Sequence, residues 1–272
     1  MRVASIGEIL WDLIGDQELL GGATFNFSVQ LSRLGHEVYF ISAVGDDDRG
    51  RRALEAASRL GLPAKFIRTV KEAPTGTVSV FLDPQGQPSY VLHRPAAYDF
   101  TEIPADQIDP DWLYHGTLSF LEPRMQALLD SYPDARRFYD INLRRDSYNS
   151  ALVMELVQRA DVVKLNDEEL IQVQRMAGTA HASMESFCRD YASRFEWQAV
   201  CVTRGALGCA ILRGREYVEV PGLRVKVADT VGAGDAFAAA FLHGLDQNWP
   251  AAQIGAFANR LGAMVASQPG AV

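Results

Sequence analysis

The chain has 272 residues, 48% of them hydrophobic and 22% charged, with a formal net charge of −8 and a pI near 5.2. That hydrophobic content supplies a sizeable core for one large α/β unit or two small ones, and it excludes a disordered chain. The acidic balance, with no Lys/Arg run, argues against nucleic acid or an anionic membrane as partner and leaves a small molecule; a polyphosphate would need a local device such as a metal ion, an anion hole or a few placed arginines.

Residues 3–6 read as a buried strand without a basic n-region or a long apolar h-region, and no apolar run reaches membrane-spanning length, so no targeting signal is expected. Gly7-Glu8-Ile-Leu-Trp-Asp12 continues as an alternating segment that carries Asp12 near its end. Leu20-Gly21-Gly22-Ala-Thr-Phe-Asn26 is a Gly-Gly turn feeding a helix that Gly35 stops; as local chemistry, Asn26 is simply an amide in the first helical turn. After a strand at 38–44, Gly45-Asp46-Asp47-Asp48-Arg49-Gly50 opens a helix to Leu60. Its aspartates suit the positive helix end better than a metal, because no calcium-loop spacing follows. Segments 75–82 and 88–94, joined by Asp83-Pro-Gln-Gly86-Gln87, form a hairpin that breaks the strand–helix alternation and predicts a small projecting sheet, with Tyr90 and Arg94 on one face.

From 111 onward, strands at 112–115, 137–141 and 162–165 alternate with helices at 124–131, 151–159 and 167–176. This predicts a mostly parallel sheet with helices on both faces and ligands at the carboxyl ends of its strands. Asp140-Ile-Asn142-Leu-Arg144 puts three polar side chains on one face at such an end, which alone reads as a strand end with a surface Arg. Asn166-Asp-Glu-Glu169 has the form of a capping box. Cys188, Cys201 and Cys209 lack metal-ligand spacing, so neither a disulfide framework nor zinc is indicated and a reducing cytoplasm fits. Strands at 199–203, 209–212 and 216–220 surround the turn Thr203-Arg-Gly205-Ala-Leu-Gly208, and a last helix at about 251–266 carries Asn259, Gly262 and Ala263. No Gly-x-x-x-x-Gly-Lys-Ser/Thr occurs, which excludes P-loop chemistry.

Asp229-Thr-Val-Gly232-Ala233-Gly234-Asp235 heads an apolar helix running to about His243. Gly232, Ala233 and Gly234 let backbone N–H groups approach an anion at the positive end of that helix. A carboxylate there repels phosphate but accepts a proton from an attacking hydroxyl, so Asp235 is the candidate general base. A tight strand-to-helix turn with a dipole-favouring Asp is the plain alternative.

The motif resembles the C-terminal signature of the ribokinase-like sugar kinases, the phosphofructokinase-B family, and the order of the motifs along the whole chain resembles that family too. Fructokinases are the most similar through Gly7–Asp12 and Leu20–Phe27. The resemblance implies a ribokinase-like three-layer α/β sandwich with a mostly parallel central sheet, one domain over 1–272, and a β lid from about 8–14 and 75–97. It implies ATP-dependent phosphorylation of a primary hydroxyl of a small sugar, fructose or a related ketose. Asp235 would be the base and Gly232 to Gly234 the anion hole, with Asp12, Gly21, Gly22 and Asn26 around the sugar and Tyr90, Arg94 and Arg144 as further substrate contacts. ATP would meet Asn166, Thr203, Gly205, Gly208, Gly232, Gly234 and Asn259. Asn166 and Glu169 would organise Mg²⁺ through water, and carbonyls near Asp229, Val231, Ala266 and Gly270 resemble a loop for a monovalent cation such as K⁺. A homodimer through the lid is a further expectation. Alternatives are a 2-keto-3-deoxygluconate kinase, whose acid needs an Arg, a nucleoside kinase, or a sugar-binding regulator on the same fold without turnover.

Overall fold

The computed structural model describes residues 1–82, 88–104, 108–144 and 148–272, so the expected turn from Asp83 to Gln87 lies outside the described residues. In chain order the strands are β1 (Arg2–Ile6), β2 (Leu10–Ile14), β3 (Gln17–Gly21), β4 (Glu37–Gly45), β5 (Ile67–Val70), β6 (Gly76–Leu82), β7 (Pro88–His93), β8 (Trp112–His115), β9 (Arg136–Asp140), β10 (Val162–Asn166), β11 (Ala199–Thr203), β12 (Cys209–Arg213) and β13 (Glu216–Val220). The α-helices are α1 (Ala23–Arg33), α2 (Asp48–Arg59), α3 (Pro123–Asp130), α4 (Ser150–Arg159), α5 (Asp167–Ala177), α6 (Met184–Phe195), α7 (Ala233–Asp246) and α8 (Ala251–Ala266). Strands β3 and β5 and helix α6 go beyond the elements legible in the sequence; β3 and β5 are short and lie at sheet edges, where little apolar patterning is required.

The large sheet has the order β13-β12-β11-β10-β9-β8-β1-β4-β5. All its pairings from β5 to β11 are parallel, while β12 and β13 are antiparallel. Successive residues alternate between two cores, as the pleat requires. Val3, Phe40, Tyr114, Phe138 and Val162 pack with residues of α1, α2, α7 and α8, whereas Ala4, Ile41, Leu113, Tyr139 and Val163 pack with residues of α3 to α6. The order reverses at β1, which has β4 on one side and β8 on the other. Crevices at such a switch point, beyond the carboxyl ends of the strands, are where sheets of this kind bind ligands.

The small sheet has the order β3-β2-β6-β7, with β2 parallel to β6. Asp12 lies opposite Leu19 and Val78, and Val78 opposite Leu92. One face therefore carries Leu19, Asp12, Val78, Leu92 and, two residues on, Tyr90. Asp47 settles the aspartate run: its carboxylate caps α2 through the Gly50 N–H and also accepts from the Thr75 N–H and hydroxyl, binding the α2 start to the base of β6.

Candidate active site

Helix α1 starts where Gly22 sits at φ 114°, a conformation that favours glycine, and a Cβ there would lie 2.5 Å from the Glu8 carbonyl oxygen. Glu8 is buried between the β1 end and this helix: one carboxylate oxygen accepts from the Ala23 N–H at 3.0 Å and the other from the Ser119 hydroxyl at 3.1 Å. Sequence reading passed over Glu8, although a carboxylate directly after a buried strand is itself a signal, since such groups are rarely buried unless paired. The tether fixes the first turn of α1, and with it Asn26.

Asn26 donates from Nδ2 to Asp235 Oδ2 at 2.8 Å, joining the first turn of α1 to the first turn of α7. Its Oδ1 is buried and has no hydrogen-bond partner among the described residues. A lone buried acceptor costs roughly 1–3 kcal/mol and calls for a donor that the described residues do not supply. Burial raises the Asp235 carboxyl to about 7, against the Asn26 hydrogen bond, which lowers it; the Asp140 charge raises it further, and Lys164 and Arg144 oppose. Asp12 is raised to about 6 by burial, with Arg144 lowering it and Asp229 raising it. Arg144 is exposed, and it makes no ion pair among the described residues. Asn26 and Asp235 are thus in contact, and Arg144 acts through its charge on both Asp12 and Asp235.

At the start of α7, Gly232 adopts φ 77° and a Cβ on it would collide with Ala271 at 2.3 Å. Gly234 differs. It is exposed, and beyond its chain neighbours and own helix backbone a Cβ on it would find just one atom of the described residues within 4 Å, Lys164 Nζ at 3.9 Å. The Ala233 N–H bonds to the Thr230 carbonyl, while the Gly234 and Asp235 N–H groups head the helix with no intrahelical acceptor. Open space above backbone donors at the positive end of a helix has the chemistry to cradle an anion.

Lys164 also escaped the sequence reading. It is the single charge in the apolar run Val162-Val-Lys-Leu165, and its ammonium donates to both oxygens of Asp140, at 2.8 and 3.0 Å. Tyr114 donates to the same carboxylate at 3.1 Å and stacks on Phe27, with ring centroids 3.4 Å apart. Asp140 therefore belongs to a buried network below the cradle.

Asn166 and Glu169 form the expected capping box, each side chain accepting the other's backbone N–H at 2.8 Å. Glu169 is buried, and its second oxygen accepts from the Leu143 N–H at 2.8 Å. Direct metal ligation by Glu169 does not fit this arrangement; contact through water beside Asn166 does. Among the described residues, no three His, Cys, Asp or Glu side chains converge as a metal site.

Further candidate residues are engaged within the protein. The Arg94 guanidinium is taken up by buried Asp99, from Nη2 at 2.5 Å and Nε at 3.2 Å, so it clamps the lid base instead of facing a substrate. The Ala266 carbonyl accepts from both the Ala228 N–H and the Asp229 N–H, which uses its lone pairs and removes it from the set expected in a loop around a monovalent cation. Asp229 serves that loop through its carboxylate, accepting from the Val231 and Gly270 N–H groups. Asn259 spends its amide on the Val220 and Pro221 carbonyls, shaping the wall next to Thr203, Gly205 and Gly208. Gly208, at φ 97°, has no room for a Cβ, which would lie 2.1 Å from the Val220 carbonyl oxygen. Tyr90 stands exposed on the face of the small sheet that bears Asp12.

Comparison with known proteins matches residues 2–272 to the model of the pfkB family carbohydrate kinases. A fructokinase of Vibrio alginolyticus is 30% identical over 98% of this chain and 93% of its own length. An aminoimidazole riboside kinase of Salmonella typhimurium is 28% identical over 100% of this chain and 91% of its own. Among solved structures, a double mutant of the Vibrio cholerae fructokinase in its fructose, ADP and potassium ion bound form superimposes with a TM-score of 0.83 at 29% identity, covering 99% of this chain and 93% of that one.

Proposed function

The chain belongs to the pfkB family of carbohydrate kinases, with the ribokinase-like fold, and on that premise we propose that it transfers the γ-phosphoryl group of ATP to a primary hydroxyl of fructose or a related ketose. Asp235 takes the hydroxyl proton while the new O–P bond forms, and a carboxyl near 7 is matched to that task. The Asn26 Oδ1 acceptor and the Asp12 carboxylate receive other sugar hydroxyls. Backbone N–H groups at the α7 start stabilise the charge of the transferring group, and positioning supplies the remainder. A magnesium ion carried with the nucleotide would neutralise phosphate charge, with its water shell beside Asn166. Val231 and Gly270 would remain near a monovalent cation, whose loop Asp229 braces. The small sheet acts as a lid that excludes water from the transfer.

The observation that carries this reading is the unpaired, buried Asn26 acceptor beside an Asp whose carboxyl is raised. A coupled assay of ADP release over fructose, ribose, 2-keto-3-deoxygluconate, adenosine and aminoimidazole riboside tests it. Fructose is expected to give the highest kcat/KM; no ADP release with any acceptor would instead support a sugar-binding regulator.

A second reading rests on Arg144, an exposed cation within the field of Asp12 and Asp235. It suits the carboxylate of 2-keto-3-deoxygluconate. Under that reading Arg144→Ala costs the acid about 1.5–3 kcal/mol, the range of a charge-assisted hydrogen bond, and a neutral ketose much less.

A further inference from the structure

We infer that Lys164 is a further catalytic residue, whose ammonium reaches the transferring phosphoryl group through the opening at Gly234. This rests on the kinase reading above and adds a group to its site.

Lys164 lies on β10, alternating with Val163 and Leu165, which belong to the opposite core, so its side chain shares the α7 face of the sheet. Leaving aside Gly234's chain neighbours and its own helix backbone, Lys164 Nζ is the one atom of the described residues within 4 Å of a Cβ built on Gly234. A cation buried below a helix N-terminus has the wrong sign for stability, because the positive end of the dipole favours anions. Asp140 offsets that charge but takes two of the three N–H directions, and the third finds no acceptor among the described residues. Two positive elements, the α7 start and the ammonium, therefore converge on one open volume. A ligand carrying negative charge completes it.

The proton stays on Lys164 throughout. Burial lowers its proton affinity, but the charges of Asp140 and Glu169 and the Asp140 hydrogen bond outweigh this and raise it. During transfer the hydroxyl proton passes to Asp235, the sugar O–P bond forms, and the bond from phosphorus to the ADP oxygen breaks. Lys164 and the N–H groups contact the equatorial oxygens, where charge is spread in the transition state. Lys164 also lowers the Asp235 carboxyl, which keeps the base available.

The test is calorimetric binding of MgADP to the full chain with saturating fructose, with and without aluminium fluoride, a planar mimic of the transferring group. In the wild type the fluoride should tighten ADP. In Lys164→Met that tightening should fall by about 10- to 100-fold, the range of one charge-assisted hydrogen bond, while ADP alone binds as in the wild type. Lys164→Met strands a buried Asp140, so Lys164→Met with Asp140→Asn is measured alongside it, since neutralising both partners of a buried pair is tolerated better than removing one. If the wild type tightens and a folded variant tightens equally, Lys164 is only a structural ion pair and the inference fails alone. If the wild type itself shows no tightening, the kinase reading fails and takes the inference with it.

Discussion

Asp235 and Asn26 meet through one hydrogen bond, and that bond sets a testable pH dependence. As the proposed base, Asp235 works deprotonated, so kcat/KM should rise with pH through about 7 and level off above it. Asn26 lowers the Asp235 carboxyl, so Asn26→Ala should move the inflection to higher pH; a shift to lower pH would contradict the assigned contact. The same group affects stability with a definite sign. Its carboxyl is raised on folding, from the ordinary aspartate value of 3.8 to about 7, so the folded state binds the proton more tightly and stability declines as pH rises between those values. The two glycines of the cradle should also part company. Gly234→Ala has space in the protein and removes a helical glycine, so the melting temperature should hold or rise while kcat falls, because the methyl occupies the phosphoryl path. Gly232→Ala meets both φ 77° and Ala271, and should lose stability outright.

Among the elements, α5 shows how one short motif carries two duties. The Asn166–Glu169 pair caps the helix, and Glu169 also pins Leu143, whose neighbours Asn142, at φ 43°, and Arg144 form the turn after β9. Glu169→Gln should therefore lower stability by roughly 1–2 kcal/mol, in the range of a lost cap with a buried charge-assisted bond. It should raise KM for the sugar by loosening Arg144, alongside any change in magnesium dependence; Mg²⁺ titration and denaturant melts separate the two effects. The strand–helix alternation, the hairpin and the capping box were all readable because each is dictated by local periodicity or spacing. Lys164 and Glu8 were not, since their roles come from β10 lying under α7 and from Ser119 meeting the β1 end, contacts between residues far apart in the chain. Arg94 misled for the same reason: its alternation with Tyr90 is local, but Asp99 claims its guanidinium.

At the scale of the whole molecule, the α7 start supplies the N–H groups, the large sheet supplies the Lys164–Asp140 network below them, and the small sheet supplies Asp12 and an apolar face. Tyr90 and Val91, on edge strand β7, are 49% and 47% exposed. Unpaired edges bearing exposed apolar side chains favour pairing with another chain. We accordingly predict a homodimer through the lid, with Val91→Lys shifting sedimentation toward the monomer; identical sedimentation of both proteins as monomers would remove that interface. The proposed activity places one base, Asp235, between the two sheets, and this proposal is tested most directly by Asp235→Asn at saturating fructose and MgATP. The substitution preserves size and the helix start, removes the proton acceptor and relieves the cost of a buried charge. The predicted result is sugar and ATP binding close to wild type, stability above pH 7 at least equal to wild type, and a kcat lower by at least ~10²–10⁴, the usual contribution of a general base. A kcat near that of the wild type, with a stability loss of roughly 1 kcal/mol as for a charge that merely favours a helix terminus, would contradict it.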